Sequence, residues 1–62
     1  MKANYVEVQN ILKNLHFPLT KHELIQQAIN CGASYNMVQD LLNISDRKYT
    51  SSDNVIEELG GK

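Results

Sequence analysis

A chain of 62 residues has room for one domain and one hydrophobic core, and a core of that size stabilises a fold by only roughly 3–5 kcal/mol. Hydrophobic residues at 42% and charged residues at 21% are the proportions of a globular domain and exclude a disordered tail. The single cysteine, Cys31, excludes an internal disulfide framework, and a formal charge of −1 supplies no overall basic excess for nucleic acid or an anionic membrane. A reducing cytoplasm is the expected compartment. Met1-Lys2-Ala3-Asn4-Tyr5 leads into no apolar signal region, and no apolar run approaches the roughly 20 residues that cross a bilayer.

The first helix is expected near residues 4–15. Asn4 with Glu7 three positions later has the spacing of a reciprocal capping box, and Tyr5, Val8, Ile11, Leu12 and Leu15 recur at spacings of three and four, forming a buried stripe. It must stop before Pro18, because the residue ahead of proline avoids α geometry and proline has no N–H to donate. Thr20 and Glu23 form a second capping box, with Leu19 and Leu24 at the two positions of a hydrophobic staple. The second helix is therefore placed near 20–31, burying Leu24, Ile25, Ala28 and Ile29, with Gly32 taking the left-handed conformation that ends many helices.

Ser34 is placed to cap a third helix near 34–44. Its apolar positions, Tyr35, Met37, Val38, Leu41, Leu42 and Ile44, cover a broad arc, as expected of a central helix or one that also meets a partner. Ser45-Asp46-Arg47-Lys48 reads as a turn in which Asp46 and Arg47 pair, followed by Tyr49 as a packing anchor. Either Thr50 with Asp53 or Ser51 with Asn54 then caps a fourth helix near 51–59, whose apolar face is Val55, Ile56 and Leu59 and which Gly60-Gly61 ends. No β-alternation, internal repeat or low-complexity stretch is read from the chain. The expectation is an all-α single small domain, residues 1–62, of about four short helices around one core. That core should centre on Leu12, Leu15, Leu24, Ala28, Val38, Leu41, Leu42, Tyr49, Val55 and Leu59.

Phe17-Pro18-Leu19-Thr20-Lys21-His22-Glu23-Leu24, Ala28, Gly32-Ala33 and Asp46-Arg47-Lys48-Tyr49-Thr50-Ser51 with Val55 and Leu59-Gly60 form one pattern. It resembles the small bacterial domain of unknown function 2795, from about Val8 to Gly60. Its most distinctive pieces are the Pro-x-(Ser/Thr)-Lys-x-Glu-Leu stretch and the Asp-Arg-x-Tyr-x-Ser corner. The chain departs from the family at Ser45 and Ser52, where proline is usual. The resemblance implies a small helical domain and brings no activity, ligand or catalytic residue with it.

No catalytic, cofactor-binding or metal-binding set is expected. Cys31 lies at the negative end of a helix, which disfavours a thiolate, and is read as a partly buried small apolar residue. His16 and His22 flank the proline connection and share no helix face, whereas metal ligands must converge to about 2.0–2.3 Å from an ion. His16 is read as exposed or as capping the loop, His22 as an exposed first-turn residue, and Lys21, Arg47 and Lys48 as a solvated face in preference to a local basic patch. Glu57 and Glu58 are neighbours near a terminus, not two acids across a cleft.

Helix-turn-helix DNA binding is the alternative to weigh. Ala28, Gly32 and Val38 have its small–glycine–apolar spacing, but the polar residues of the third helix are Asn36, Gln39, Asp40 and Asn43, with no Lys or Arg, and Asp40 is expected to repel phosphate. The favoured expectation is a non-enzymatic protein-interaction or regulatory module that meets another protein or a second copy of itself, and not nucleic acid, a membrane or a small-molecule substrate. Tyr35 and Met37 are expected as partly exposed apolar contacts, ringed by Asn36, Gln39 and Asp40.

Overall fold

The computed structural model describes residues 2–60. The elements in chain order are α1 (Tyr5–Leu12), β1 (Leu19–Thr20), α2 (Lys21–Asn30), α3 (Tyr35–Leu42), β2 (Lys48–Tyr49) and α4 (Ser52–Glu58). Four helices stand where four were expected, but the chain is mostly helical and not all-α. Leu19 and Thr20 pair antiparallel with Tyr49 and Lys48. A two-residue ladder has no periodicity to detect, and its partners lie about thirty positions apart, so only the tertiary fold brings them together.

Each helix start is set by a side chain that satisfies free backbone N–H groups. Asn4 accepts from the amides of Val6 and Glu7 at 2.8 and 3.3 Å. The expected reciprocal box fails there, because the Glu7 carboxylate turns away to Ser34. At α2 the box is complete: Thr20 Oγ1 accepts from Glu23 N and Glu23 Oε1 accepts from Thr20 N. Ser34 and Ser51 cap α3 and α4 by accepting from Met37 N and Asn54 N. Asn54 reaches back to Thr50, accepting from its hydroxyl at 2.8 Å.

The helix ends are equally local. Gly32, at φ +89, follows α2 in a Schellman arrangement, with Gly32 N donating to Ile29 O and Ala33 N to Ala28 O. Gly60, at φ +75, donates to Glu57 O after α4. The first and third helices end at Leu12 and Leu42, earlier than the expected 15 and 44. Beyond Leu12 and Leu42 the chain tightens into i to i+3 bonds, Leu15 N to Leu12 O and Ile44 N to Leu41 O, which keep Leu15 and Ile44 on the buried side without continuing the helix. The Phe17–Pro18 peptide that follows α1 is cis.

The element order contains a duplication, against the expectation of no internal repeat. The units α1–β1–α2 and α3–β2–α4 repeat one another about 30 positions apart. N-caps Asn4 and Ser34 correspond, as do Tyr5 and Tyr35, Val8 and Val38, Gln9 and Gln39, Ile11 and Leu41, and Leu12 and Leu42. The strands of the two units pair at Leu19 and Tyr49, which are themselves counterparts, so an approximate two-fold axis passes through that pair. Outside α1 and α3 few identities recur, Thr20 and Thr50 among them.

The core is built from both units. Val8, Leu12, Leu24, Ala28, Met37, Leu41, Tyr49 and Val55 are fully enclosed, with Ala3, Ile11, Leu15, Leu19, Ile44 and Leu59 around them. Two residues expected at the core's centre fail, Leu42 at 50% exposed and Val38 only half-buried, and on α2 Ile29 is 49% exposed and Ile25 half-buried. Tyr5, expected in the first buried stripe, is 40% exposed at the edge of α1. Cys31, expected partly buried, is exposed.

Candidate functional site

The residues singled out from the sequence lie on α3, whose five apolar positions spread over about 160° of a helical wheel at 100° per residue, with Ile44 following in the turn beyond its end. The fold divides that arc in two. Met37, Leu41 and Ile44 point inward, and Tyr35, Val38 and Leu42, spaced three and four apart, form an outward flank in which Tyr35 is 76% exposed. The expectation for Met37 is therefore corrected: its side chain is wholly buried, because it shares the inner third of the wheel with Leu41. Asn36 is exposed and Gln39 half-buried, beside the outward flank.

Asp40, also expected on the rim, is instead turned into the fold. Its Oδ2 accepts from the backbone N–H groups of Lys2 and Ala3, both at 2.7 Å. A carboxylate on the buried arc needs donors in place of water, and the start of the chain supplies them. Asp40 falls outside the apolar arc of the wheel, so the sequence held no signal for this latch. A second bridge joins the first turns of α1 and α3: Glu7 accepts from Ser34 N and from Ser34 Oγ, each at 2.8 Å.

At the other end of α3, Lys21 Nζ donates to the Leu42 carbonyl at 2.9 Å. This ties the start of α2 to the end of α3, so the two helices run back along one another from the turn at Gly32. Lys21, expected to be solvated, is thereby held at the mouth of an open cleft of about 290 Å³ lined by Lys21, His22, Ile25, Leu42 and Asp46.

The turn after α3 is organised by Glu58. Its Oε1 accepts from Ser45 Oγ at 3.0 Å and more weakly from Ser45 N at 3.4 Å, while Oε2 lies 3.8 Å from Arg47 Nε. The expected Asp46–Arg47 pair is replaced by this longer-range one. Arg47 also lies over the Tyr49 ring, 4.8 Å from its centroid, and the Tyr49 hydroxyl donates to the Ser45 carbonyl.

The profile of the family described as protein of unknown function (DUF2795) matches residues 3–56, which take in both units of the fold. The chain belongs to this family. No curated protein and no solved structure matches it. In this DUF2795 chain the distinctive Asp46-to-Ser51 corner is the buried tyrosine with its stacked arginine, and the Thr20–Glu23 motif is a complete capping box next to the strand. Ser45, where the family usually has proline, donates two hydrogen bonds to Glu58 that proline cannot make. Nothing in the structure explains Ser52.

Among the described residues no three His, Cys, Asp or Glu side chains gather closely enough to hold a metal ion, and no helix is long and apolar enough to cross a membrane. The pKa of Tyr49 is raised above its usual 10.0, first by burial and then by the Glu58 and Asp46 carboxylates, with Arg47 opposing. The fold thus favours the neutral phenol. That contribution is fully present below pH 10 and is lost as pH rises through the folded-state pKa. Tyr49→Phe removes one hydrogen bond, worth about 1 kcal/mol at pH 7. Urea unfolding at pH 7, 9 and above 10 should show the stability gap between wild type and Tyr49→Phe constant at first and then narrowing. A gap that widens above pH 10 would contradict the buried neutral phenol.

Proposed function

We propose that the chain is a non-enzymatic protein-interaction module whose contact face is the outward flank of α3, Tyr35, Val38 and Leu42, continued onto α2 by Ile25 and Ile29. The observation that carries this reading is the uneven use of the duplicated helix. In α1 the counterparts Val8 and Leu12 are completely buried, whereas in α3 Val38 is half-buried and Leu42 half-exposed. The same apolar pattern is kept on α3 without being consumed by the core, in a chain whose core has little stability to spare. Asn36 and Gln39 supply the polar edge such a contact needs.

The test is retention of partners from native lysate by tagged wild type, Tyr35→Ala and Leu42→Ser, all three checked for equal folding by circular dichroism. Specific partners should be lost from both variants. Equal retention by the variants, or none by the wild type, would count against the face. Met37→Ala is unsuitable as a probe because that residue belongs to the core.

Helix-turn-helix DNA binding stays a second reading for one reason: Asp40 is turned inward, so the exposed face of α3 carries no carboxylate to repel phosphate. It also carries no Lys or Arg, which favours the protein-contact reading. Absence of binding to mixed duplex DNA at low ionic strength would remove the DNA reading.

A further inference from the structure

We infer that the outer side of the α2–α3 pair receives a second copy of this chain, giving a reversible two-fold dimer. The inference rests on the protein-interaction reading above and names the partner.

Charge distinguishes this side of the molecule. The chain has six Lys and Arg and seven Asp and Glu, yet between Glu23 and Asp46 the one charged side chain is Asp40, which is buried and holds the amides of Lys2 and Ala3. At the overall charged share of 21%, the 22 positions from Leu24 to Ser45 would hold about four or five. Hydrocarbon and amide face outward instead. Ile29, Tyr35 and Leu42 are exposed, and each is followed in the chain by an exposed asparagine, Asn30, Asn36 and Asn43. Ile25 and Leu42 line one cleft, which joins the apolar row of α2 to that of α3. Loss of charge with aromatic and aliphatic side chains kept at the surface is the composition of an interface centre.

The same chemistry selects a second copy as the occupant. A two-fold interface sets each residue near its axis against its own counterpart. An ammonium or carboxylate there meets like charge, whereas a carboxamide both donates and accepts and so pairs with itself. The outer side of α4 shows the contrast: Asp53, Glu57 and Glu58 are all exposed, three carboxylates that a second copy would oppose with three more. At the edge of the α2–α3 side the charged groups are held in local bonds, Lys21 Nζ on the Leu42 carbonyl and Glu23 on the Thr20 amide. A net charge of −1 gives two copies little mutual repulsion on approach.

Area sets the strength. Helices α2 and α3, of ten and eight residues, are roughly 15 and 12 Å long and together roughly 20 Å across, an outer side of roughly 300 Å² in plan. That falls among weak interfaces, which bury less than about 1,200 Å² over both partners, and short of the about 800 Å² per partner of a standard one. The dimer therefore forms and separates with concentration, and its formation stabilises the fold by mass action.

The experiment is sedimentation velocity on the full chain from about 10 μM to about 1 mM, a range that brackets weak association, with amide resonances followed over the same concentrations. The average mass should rise from 7.1 kDa towards twice that value and fall again on dilution, with shifts concentrated at residues 25–30 and 35–43. Tyr35→Ala and Leu42→Ser, folded by circular dichroism, should each weaken association about tenfold or more. Gln39→Lys and Gln39→Glu should each associate less than wild type when alone, and their equimolar mixture should recover association, which added salt then weakens. A mass of 7.1 kDa at the highest concentration overturns the inference, as do a Lys–Glu mixture that associates no better than either variant alone and shifts centred on α1 or α4. A monomeric wild type whose lysate partners are lost from Tyr35→Ala discards the second copy and keeps the contact face. A monomeric wild type with lysate retention equal in the variants discards both.

Discussion

Met37→Ala should unfold most of the chain, whereas Tyr35→Ala, two residues away, should leave stability within about 0.5 kcal/mol of wild type. Met37 is completely enclosed together with Leu41, Leu12 and Leu24, and truncating a buried methionine to alanine costs about 2–5 kcal/mol through lost transfer energy and the cavity left behind. A domain of this size has roughly 3–5 kcal/mol in total, so one substitution spends most or all of it. Tyr35 is 76% exposed and its removal deprives the core of nothing. Urea titrations followed by circular dichroism distinguish the two. A Met37→Ala midpoint equal to that of wild type would show that the inner arc of α3 has been assigned wrongly.

Asp40→Ala should be the next most damaging change, at about 1.5–3 kcal/mol, the range for hydrogen bonds to a charged group. The substitution removes the acceptor of two 2.7 Å bonds and leaves the N–H of Ala3, a buried residue, without a partner. Asp40→Asn retains an oxygen acceptor and should cost less. Amide exchange at Lys2 and Ala3 reads the latch directly, with protection lost in Asp40→Ala before any loss in α2. A chain beginning at Asn4 should lose comparable stability, and adding Asp40→Ala to it should cost less than in the full chain, since the two changes break the same contact. Additive losses would mean that Asp40 stabilises the fold by some other route.

Sequence reasoning reached different depths in the two halves of α3. Ser34 as the cap, Gly32 as the preceding left-handed turn and the helix between them all follow from bonds closed within a few residues. The direction in which that helix faces does not. With apolar side chains over about half the wheel, several rotations bury a similar amount of hydrocarbon, and the choice among them is made by neighbours. Packing against α2 and the arrival of Lys2 and Ala3 at Asp40 turned Met37 inward and left Leu42 out. The candidate contact residues divided accordingly. Tyr35, Asn36 and Gln39 remain on or beside the outward face, while Met37 and Asp40 hold the fold together.

Other contacts escaped the sequence for the same reason. Glu7 has the spacing to complete a box with Asn4, yet it bonds Ser34, 27 positions away. Asp46 has the spacing to pair with Arg47, yet Arg47 lies nearer Glu58. In both cases a side chain with a local partner available took a distant one that the packed fold held in place. The repeat was obscured because its two copies preserve apolar spacing more than identity, and it becomes evident through the equal lengths of α1 and α3 and the pairing of Leu19 with Tyr49.

From the sequence by itself came the four helices, their caps at Asn4, Thr20 and Ser34, the break before Pro18, the buried anchor at Tyr49 and the family resemblance, while the fourth cap was narrowed to Thr50 or Ser51. The caps and the break depend on interactions spanning three to five residues, which are closed locally by residues at those spacings. The tertiary structure alone decided the two-residue ladder, the rotation of α3, the Asp40 latch and the open cleft beside Leu42. Each joins groups about twenty or more positions apart, and their pairing is set by which packing of four short helices buries the most apolar surface while leaving no buried polar group without a partner.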